Sequence, residues 1–292
     1  MRIGIDCRKI ADFGIGTYVR GLVGGLASIA GDEEYVLFVP RDAEGLPRGF
    51  EQVVVDAPNY SISELHLLAR ALDRARIDLF HAPHFVLPWS GRPSFATIHD
   101  VIPFHYPPPN PVARLYLATM IPRALRKSER VLTVTNAAKQ AILDTFDCAA
   151  EKVVVAPNGI DEIFFSDAIA PARMGRYILF AGNDKPHKNV GRLVEAFERV
   201  RRADSSLQLV LVGGAFERFT GRDGIVAMGF VSTTELVSLF RGAIALAMPS
   251  LEEGFGLPAV EAMAARTPVI ASDIASLAEV CGDAALRFDP RS

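Results

Sequence analysis

The fold of this chain is indicated most directly by the stretch Pro249-Ser250-Leu251-Glu252-Glu253-Gly254-Phe255-Gly256-Leu257-Pro258-Ala259-Val260-Glu261. The residues just before it, Ala243-Ile244-Ala245-Leu246-Ala247-Met248, predict a short apolar strand. Pro258 can open a helix, because a proline at the first helical position loses no needed hydrogen bond. The stretch is therefore predicted to be a strand-to-helix loop.

Two acids, Glu253 and Glu261, flank the glycine-rich part of this loop. A loop that opens a helix exposes backbone N–H groups and the positive end of the helix dipole, which attract a phosphate, and glycine lets the backbone come close to it. A carboxylate can accept hydrogen bonds from neighbouring hydroxyls of a ribose or a hexose. Together these features point to a nucleotide sugar.

The segment from Glu253 to Glu261 resembles the paired-glutamate motif of glycosyltransferase family 4, the retaining transferases built from two Rossmann-like domains in the GT-B arrangement. Further motifs of that family follow in its order along most of the chain: Thr97-Ile98-His99-Asp100, Val155 to Asp161, Gly182 to Asn189, and Met228-Gly229-Phe230-Val231. The resemblance implies transfer of a hexose, mannose-like or glucose-like, from a nucleoside diphosphate sugar to a hydroxyl of a glycan or lipid-linked acceptor. It implies no further cofactor.

The resemblance also assigns donor-binding roles in the second half of the chain. Glu261 would bind the ribose and Glu253 the hexose hydroxyls, while Lys188 would neutralise the diphosphate. Phe230 and Val231 would form the wall beside the base, although core packing is an equally good interpretation of Phe230. The backbone of the loop would face the sugar and phosphate through Gly254, Phe255, Gly256 and Leu257.

One position departs from the family pattern. The family often carries an arginine directly after the glycine equivalent to Gly182, and here that position is Asn183. Both residues are still assigned to the donor site. The diphosphate would then depend more on Lys188, or on Lys185 or His187, and the sequence leaves open which of them compensates.

The first half of the chain supplies fewer candidates. Gly14 and Gly16 are predicted to lie in a loop before a helix that starts near Thr17, and they form only part of a dinucleotide fingerprint. By resemblance this loop approaches the donor phosphate, with a plain tight turn as the alternative.

His99 matches the family histidine that faces the donor sugar, and it could donate a hydrogen bond without a permanent charge. The alternative is a structural histidine. Asp100 would order its loop or contact the acceptor. The predicted catalytic residues are thus His99, Lys188 and Glu253.

Strand and helix patterns alternate along the chain, which predicts parallel sheets covered on both faces. We expect two doubly wound, Rossmann-like domains, residues 1–160 on the acceptor side and residues 177–292 on the donor side, joined by a linker at 161–176. Their strand carboxyl ends would face each other across a cleft. Family members continue past the position of Ser292, so we expect the second domain to be incomplete at its C-terminus.

Composition excludes several classes of protein. A net charge of −3 argues against a general nucleic-acid binder. Three widely spaced cysteines, Cys7, Cys148 and Cys281, suit a reducing compartment, and no apolar run approaches the length of a membrane span, so we expect a cytoplasmic protein. The histidines near position 99 match no zinc spacing and the chain has no Asp-x-Asp, so we predict no metal site.

Several alternatives stay open. Residues 111–130 mix leucines with arginines, which is typical either of a core helix with a solvated face or of a helix that docks peripherally at the inner face of a membrane. A noncatalytic sugar-nucleotide binder, or an inactive fragment of such an enzyme, is the main alternative to a transferase. A dinucleotide-dependent oxidoreductase is a lesser one, because the glycine fingerprint is incomplete.

Overall fold

The structure is a computed structural model, and it describes residues 1–29, 31–58, 61–214 and 216–292, except for the side chain of Phe13. The chain divides into two compact units, Met1–Gly159 and Ile160–Ser292. Each unit is built on one parallel sheet, so the predicted doubly wound α/β class is confirmed.

In the first unit, the described residues form a seven-stranded sheet in the order β3-β2-β1-β4-β5-β6-β7. The strands are β1 (Arg2–Asp6), β2 (Glu34–Val39), β3 (Glu51–Val54), β4 (Leu79–Ala82), β5 (Ser94–Thr97), β6 (Val131–Thr133) and β7 (Val153–Val155). The helices are α1 (Phe13–Ser28), α2 (Ile62–Arg74), α3 (Ile102–His105), α4 (Pro111–Lys127) and α5 (Asn136–Thr145).

The apolar run of β2 explains why this sheet is covered on both faces. Successive side chains of a strand point to opposite faces. Val36 and Phe38 lie in one apolar cluster with Leu68 of α2, whereas Leu37 lies in another with Val19 of α1. A strand with buried apolar side chains on both of its faces therefore requires a helix on each side.

In the second unit, the described residues form a six-stranded sheet in the order β10-β9-β8-β11-β12-β13. The strands are β8 (Tyr177–Gly182), β9 (Gln208–Gly213), β10 (Ile225–Gly229), β11 (Ala245–Met248), β12 (Val269–Ser272) and β13 (Ala285–Phe288). The helices are α6 (Val190–Arg201), α7 (Thr233–Gly242), α8 (Leu257–Ala264) and α9 (Ala275–Cys281). Leu179 and Phe180 of β8 again lie in different clusters, so this sheet is also buried on both faces.

Residues 161–176, predicted to be a linker, lie in the second unit. They include a short 3-10 helix, Glu162–Phe165, whose Phe164 is buried in the apolar core beside Phe240 of α7. The weak periodicity of this segment reflects its irregular path over that core.

The predicted loop position of Gly14 and Gly16 is wrong, because α1 already begins at Phe13. Asp12 precedes the helix with an extended backbone, and its carbonyl accepts a hydrogen bond from the N–H of Gly16 at 2.6 Å. A Cβ atom on Gly16 would lie 2.3 Å from the carbonyl oxygen of Ile10, whereas one on Gly14 would meet nothing within 4 Å. Close packing of the chain at Gly16 therefore outweighs the low helix propensity of glycine.

Across the parts of the chain that the structure describes, no helix is long and apolar enough to cross a bilayer.

Candidate functional site

Lys188 and Glu253, which come from two separate motifs, lie in direct contact in the second unit. The Lys188 Nζ donates to Glu253 Oε1 at 2.6 Å. The Ser250 hydroxyl donates to the same oxygen at 2.7 Å. The Lys188 side chain is 15% exposed and that of Glu253 is 8% exposed. Both hydrogen bonds that Glu253 makes with the described residues use Oε1, so its other carboxylate oxygen is the one that a ligand hydroxyl would meet.

The loops that carry this pair follow β8 and β11, which are neighbours in the sheet. The backbone N–H of Leu251 donates to the carbonyl of His187 at 2.7 Å. The Asn189 side-chain amide donates to the carbonyls of Pro249 at 3.1 Å and Pro290 at 3.0 Å. Asn189 itself has a left-handed backbone, with φ of 56°, which asparagine tolerates better than most residues. The two loops are thus fixed to each other by backbone geometry.

Glu261 lies in the second turn of α8, and Pro258 takes the second helical position, one later than predicted. Gly256 precedes the helix with φ of 91°, and a Cβ there would lie 2.4 Å from a methyl carbon of Leu277, so only glycine fits. The Glu261 side chain is buried, and burial, followed by the nearby charge of Asp161, raises the pKa of its carboxyl to about 7. Because this carboxyl is about half-ionised near neutral pH, a ligand that donates hydrogen bonds to it would shift it toward the ionised form.

Asn183, which stands where the family often has an arginine, lies in a tight loop. The side-chain oxygen of Asn183 accepts from the backbone N–H of Lys185 at 3.3 Å. The next residue, Asp184, receives two hydrogen bonds from the guanidinium of Arg218, at 2.5 and 2.6 Å. Arg218 is therefore a cation near Asn183 that the sequence did not indicate. Its charge is already paired with Asp184.

Of the three candidate cations that the sequence left open, His187 is excluded. His187 is buried, and burial, followed by the charge of Lys188, lowers the pKa of its imidazole to about 4. A histidine with that pKa is neutral at pH 7, so His187 does not supply a positive charge to a phosphate. Lys185 is exposed, and Lys188 is held against Glu253.

Other predicted donor residues lie at the same edge of the second sheet. Gly182 ends β8, and its carbonyl accepts from the N–H of Gly214 after β9 at 2.7 Å. Phe230 follows β10 and is 64% exposed, so the core-packing interpretation of this residue is wrong. Val231 next to it packs partly against the core.

His99 and Asp100 follow β5 at the carboxyl edge of the first sheet. The His99 ring contacts the carbonyl of Pro83 through Nε2 at 2.9 Å and packs edge-on against Tyr18. Burial lowers the pKa of His99 to about 4, so the ring is neutral at pH 7. Because a carbonyl can only accept, Nε2 carries the hydrogen and Nδ1 remains as an acceptor. Asp100 accepts a hydrogen bond from the N–H of Ile102 at 3.0 Å and so orders the start of α3. The sequence did not predict this short helix.

The first unit also contains a buried charge network that sequence analysis missed. Arg8 donates two side-chain hydrogen bonds to Asp6, at 2.8 and 2.7 Å, and also lies 3.5 Å from Glu64. Tyr116 donates to Glu64 at 2.5 Å. His84 accepts from the N–H of Val86 through Nδ1, so its Nε2 donates to Asp6 at 3.1 Å.

This network is nearly inaccessible to solvent, since the side chains of Asp6, Arg8, Glu64 and His84 are at most 3% exposed. Burial alone would raise the pKa of Asp6, but the charge of Arg8 and the hydrogen bonds from Arg8 and His84 hold it well below its usual range. The only local sequence signal was an aspartate and an arginine directly after an apolar strand. The partners come from distant segments, and only the fold brings them together.

A second buried chain of contacts lies beside His99. Thr97 Oγ1 is 3.1 Å from the Tyr18 hydroxyl and 2.9 Å from His81 Nε2. Within the described ranges, no group of three or more His, Cys, Asp or Glu side chains is arranged to hold a metal ion.

Two doubly wound sheets with candidate residues at their carboxyl edges define the GT-B class of fold, and comparison with known proteins identifies the family. Residues 14–163 match the model described as "Glycosyltransferase Family 4", and residues 161–291 match "Glycosyl transferases group 1". The chain belongs to glycosyltransferase family 4.

Individual relatives agree with this assignment. The O-antigen chain mannosyltransferase RfbU of Salmonella typhimurium is 32% identical over 204 residues, which are 66% of this chain and 56% of that protein. The O-antigen chain mannosyltransferase B of Escherichia coli is 28% identical over 234 residues, 73% of this chain and 61% of that protein. The matched region thus spans little more than half the length of these relatives.

Solved structures agree on the fold. The sucrose-phosphate synthase of Thermosynechococcus elongatus superimposes with a TM-score of 0.77 and 19% identity, over 100% of this chain and 86% of that chain.

Proposed function

We propose that this chain carries the machinery of a retaining glycosyltransferase that moves a hexose from a nucleoside diphosphate sugar to a hydroxyl of a glycan or lipid-linked acceptor. The observation that carries the proposal is the contact between Lys188 and Glu253 at the carboxyl edge of the second sheet. It brings a cation from the loop after β8 against an acid of the loop that leads from β11 to Glu261. The names of two relatives, both O-antigen chain mannosyltransferases, favour a mannose-like donor and a glycan acceptor.

The second unit would bind the donor. Glu261 accepts hydrogen bonds from the ribose hydroxyls, and Lys188 with the N-terminus of α8 binds the diphosphate. Glu253 accepts from a hexose hydroxyl through the oxygen that Lys188 and Ser250 leave available. Exposed Phe230, with Val231, would lie beside the base. Gly182, Asn183 and the backbone from Gly254 to Leu257 complete this surface.

The first unit would supply the remaining residues that contact the substrates. His99 would then meet the donor hexose, accepting a hydroxyl hydrogen through Nδ1. Asp100 would lie on the acceptor side. The start of α1, with Gly14 and Gly16, would approach the donor phosphate and the acceptor.

The chemistry would rest on stabilising the departing diphosphate. Lys188, backbone N–H groups and the helix dipole offset its developing negative charge, which is electrostatic preorganisation. The acceptor hydroxyl attacks the anomeric carbon from the same face as the leaving group, and the departing phosphate oxygen takes its proton, so configuration is retained. This mechanism needs neither a metal ion nor a nucleophilic side chain.

A thermal-shift screen tests the proposal. GDP, UDP and dTDP, each alone and as a mannose or glucose conjugate, are added at saturating concentration, because a ligand that binds only the folded state raises its melting temperature. We expect one base to stabilise the protein, and NADH to have no effect. Stabilisation by NADH alone would favour an oxidoreductase, and no shift with any sugar nucleotide would contradict the site.

A turnover assay distinguishes an enzyme from a noncatalytic sugar-nucleotide binder. The stabilising sugar nucleotide is incubated with glycan and lipid-linked acceptors, and release of the nucleoside diphosphate is measured. Binding without release under every condition would favour the noncatalytic alternative.

A peripheral membrane contact at the inner face of a membrane forms a second, separate part of the proposal. Val112 and Leu115, in the first turns of α4, are 71% and 70% exposed, and Arg114 between them is exposed as well. Apolar side chains with nearby cations suit an anionic lipid surface. Sedimentation with phosphatidylglycerol vesicles should bring the protein down, and Leu115→Glu should reduce this. Equal sedimentation of both proteins would contradict the contact.

A further inference from the structure

Ser250 is a fully buried residue whose side chain makes one polar contact with the candidate donor site. It has no exposed surface, and its hydroxyl donates to Glu253 Oε1 at 2.7 Å. A residue with no exposed surface does not touch a ligand directly. Any effect on the donor must therefore act through Glu253.

The backbone of Ser250 is fixed on both sides. The carbonyl of the preceding residue, Pro249, accepts from the Asn189 amide, and the N–H of the following residue, Leu251, donates to the His187 carbonyl. Both partners flank Lys188 in sequence. The hydroxyl of Ser250 is thus presented to Glu253 from a rigid support.

Lys188 has two competing anionic partners in the proposed reaction. Its Nζ lies 2.6 Å from Glu253 Oε1 in this structure. A diphosphate carries more negative charge than one carboxylate, so a bound donor would attract the ammonium group away from Glu253 or share it. Glu253 would then lose its strongest hydrogen-bond donor at the moment when it must hold the hexose.

We propose that Ser250 is a positioning residue that keeps the Glu253 carboxylate oriented toward the donor hexose while Lys188 binds the diphosphate. This inference rests on the proposed function. Ser250 holds Oε1, and the other oxygen remains directed to a hexose hydroxyl. The role predicts a specific defect: loss of the hydroxyl weakens binding of the sugar, and leaves binding of the nucleoside diphosphate alone nearly unchanged.

Calorimetric titration of Ser250→Ala tests this prediction. Wild type and variant are each titrated with GDP-mannose and GDP, and with UDP-glucose and UDP. For the pair that binds wild type, we expect the Kd of the sugar nucleotide to rise about tenfold, the size expected for losing a hydrogen bond to a charged group. The Kd of the diphosphate alone should change less than about twofold. Ser250→Cys keeps a weak donor and should give an intermediate Kd.

Ser272→Ala is a matched control. Ser272 is also fully buried, at the end of β12, but its hydroxyl has no hydrogen-bond partner in the part of the chain that the structure describes. We expect this variant to bind both ligands like wild type. Equal weakening of both ligands by Ser250→Ala, or no weakening, would overturn the positioning role. Failure of wild type to bind these pairs or any other sugar nucleotide of the thermal-shift screen would instead contradict the proposed function itself.

Discussion

The carboxyl edges of the two sheets use charged residues in opposite ways. In the first unit, Asp6, Arg8, Glu64 and His84 are buried and paired with one another. In the second unit, Lys188 and Glu253 are paired but partly accessible, and Glu261 is buried with a raised pKa. The same fold therefore uses ionic groups as internal structure at one edge and, in our proposal, as a ligand-binding surface at the other.

The difference shows that charge clustered at a sheet edge is not by itself a sign of a binding site. A buried pair costs several kcal/mol in desolvation for each ion, and it is retained only where the geometry and remaining hydrogen bonds compensate. The Asp6 carboxylate meets that condition, whereas Arg8 Nη1 and Glu64 Oε2, 3.5 Å apart, have no hydrogen-bond partner among the described residues. The network ties β1 to the β4 loop, α2 and α4. Substitutions should therefore affect stability at the first edge and ligand binding at the second.

The largest expected effect is on stability, at the first edge. Asp6→Asn leaves Arg8 buried without its main counter-charge, and breaking such a pair costs about 3–5 kcal/mol. Urea unfolding should show a loss of this size in the transition of the first unit. Asp56→Asn, which breaks the exposed contact of Asp56 with Arg41, is the control and should change little. Equal effects of the two substitutions would contradict a structural role for the network.

The next effect is on transfer, at the second edge. Lys188→Ala should lower kcat about 100- to 1,000-fold, because it removes a group that stabilises the leaving diphosphate. Lys185→Ala removes an exposed lysine of the same loop and should have a much smaller effect. Initial rates over a range of donor concentrations measure both. If the two variants are equally active, the assignment of the diphosphate cation is incorrect.

A third prediction concerns the start of α1. Gly16→Ala should destabilise the first unit by about 1–3 kcal/mol, since the added methyl would overlap the Ile10 carbonyl. Gly14→Ala should be neutral or stabilising by up to about 1 kcal/mol, because the site is open and alanine favours a helix. Thermal unfolding of both variants would show whether these glycines differ as the structure indicates.

The smallest expected effect depends on pH. Burial raises the pKa of Glu261 to about 7 in the folded chain, so the folded state binds more protons than the unfolded state between about pH 4.5 and pH 7. The contribution of Glu261 to stability should fall as pH rises through that window. The lowered pKa values of His99 and His187 act in the opposite direction, so the difference between wild type and a Glu261 variant is what isolates this carboxyl. Glu261→Gln does not titrate, and should be more stable than wild type by on the order of 1 kcal/mol at pH 8, with no such gain at pH 5. A pH-independent difference would mean that Glu261 does not titrate in this window.

Sequence patterns predicted most of the fold. Strands such as Tyr177–Gly182 and Val269–Ser272 are continuous apolar runs, and such runs separated by helical patterns specify a parallel sheet. The start of α1 was missed because Gly14 and Gly16 disfavour a helix locally. Only the packing of Gly16 against Ile10 reveals why a glycine is placed there.

The candidate site was predicted unevenly. Lys188, Glu253 and Glu261 belong to family motifs, and Lys188 is in contact with Glu253. Ser250 and Asn189 lie inside the same motifs, but their roles depend on which atoms they contact. The network around Asp6 joins residues up to 78 positions apart, and no local pattern specifies such pairing.

Hydrogen–deuterium exchange with and without the stabilising sugar nucleotide tests the central claim most directly, because it reads both sheet edges in one experiment. We predict that the ligand slows exchange most strongly in residues 183–190 and 249–261, while exchange in β1 around Asp6 stays unchanged. Unchanged exchange in both loops when the ligand is bound, or protection confined to the first unit, would contradict the assignment of donor binding to the second edge.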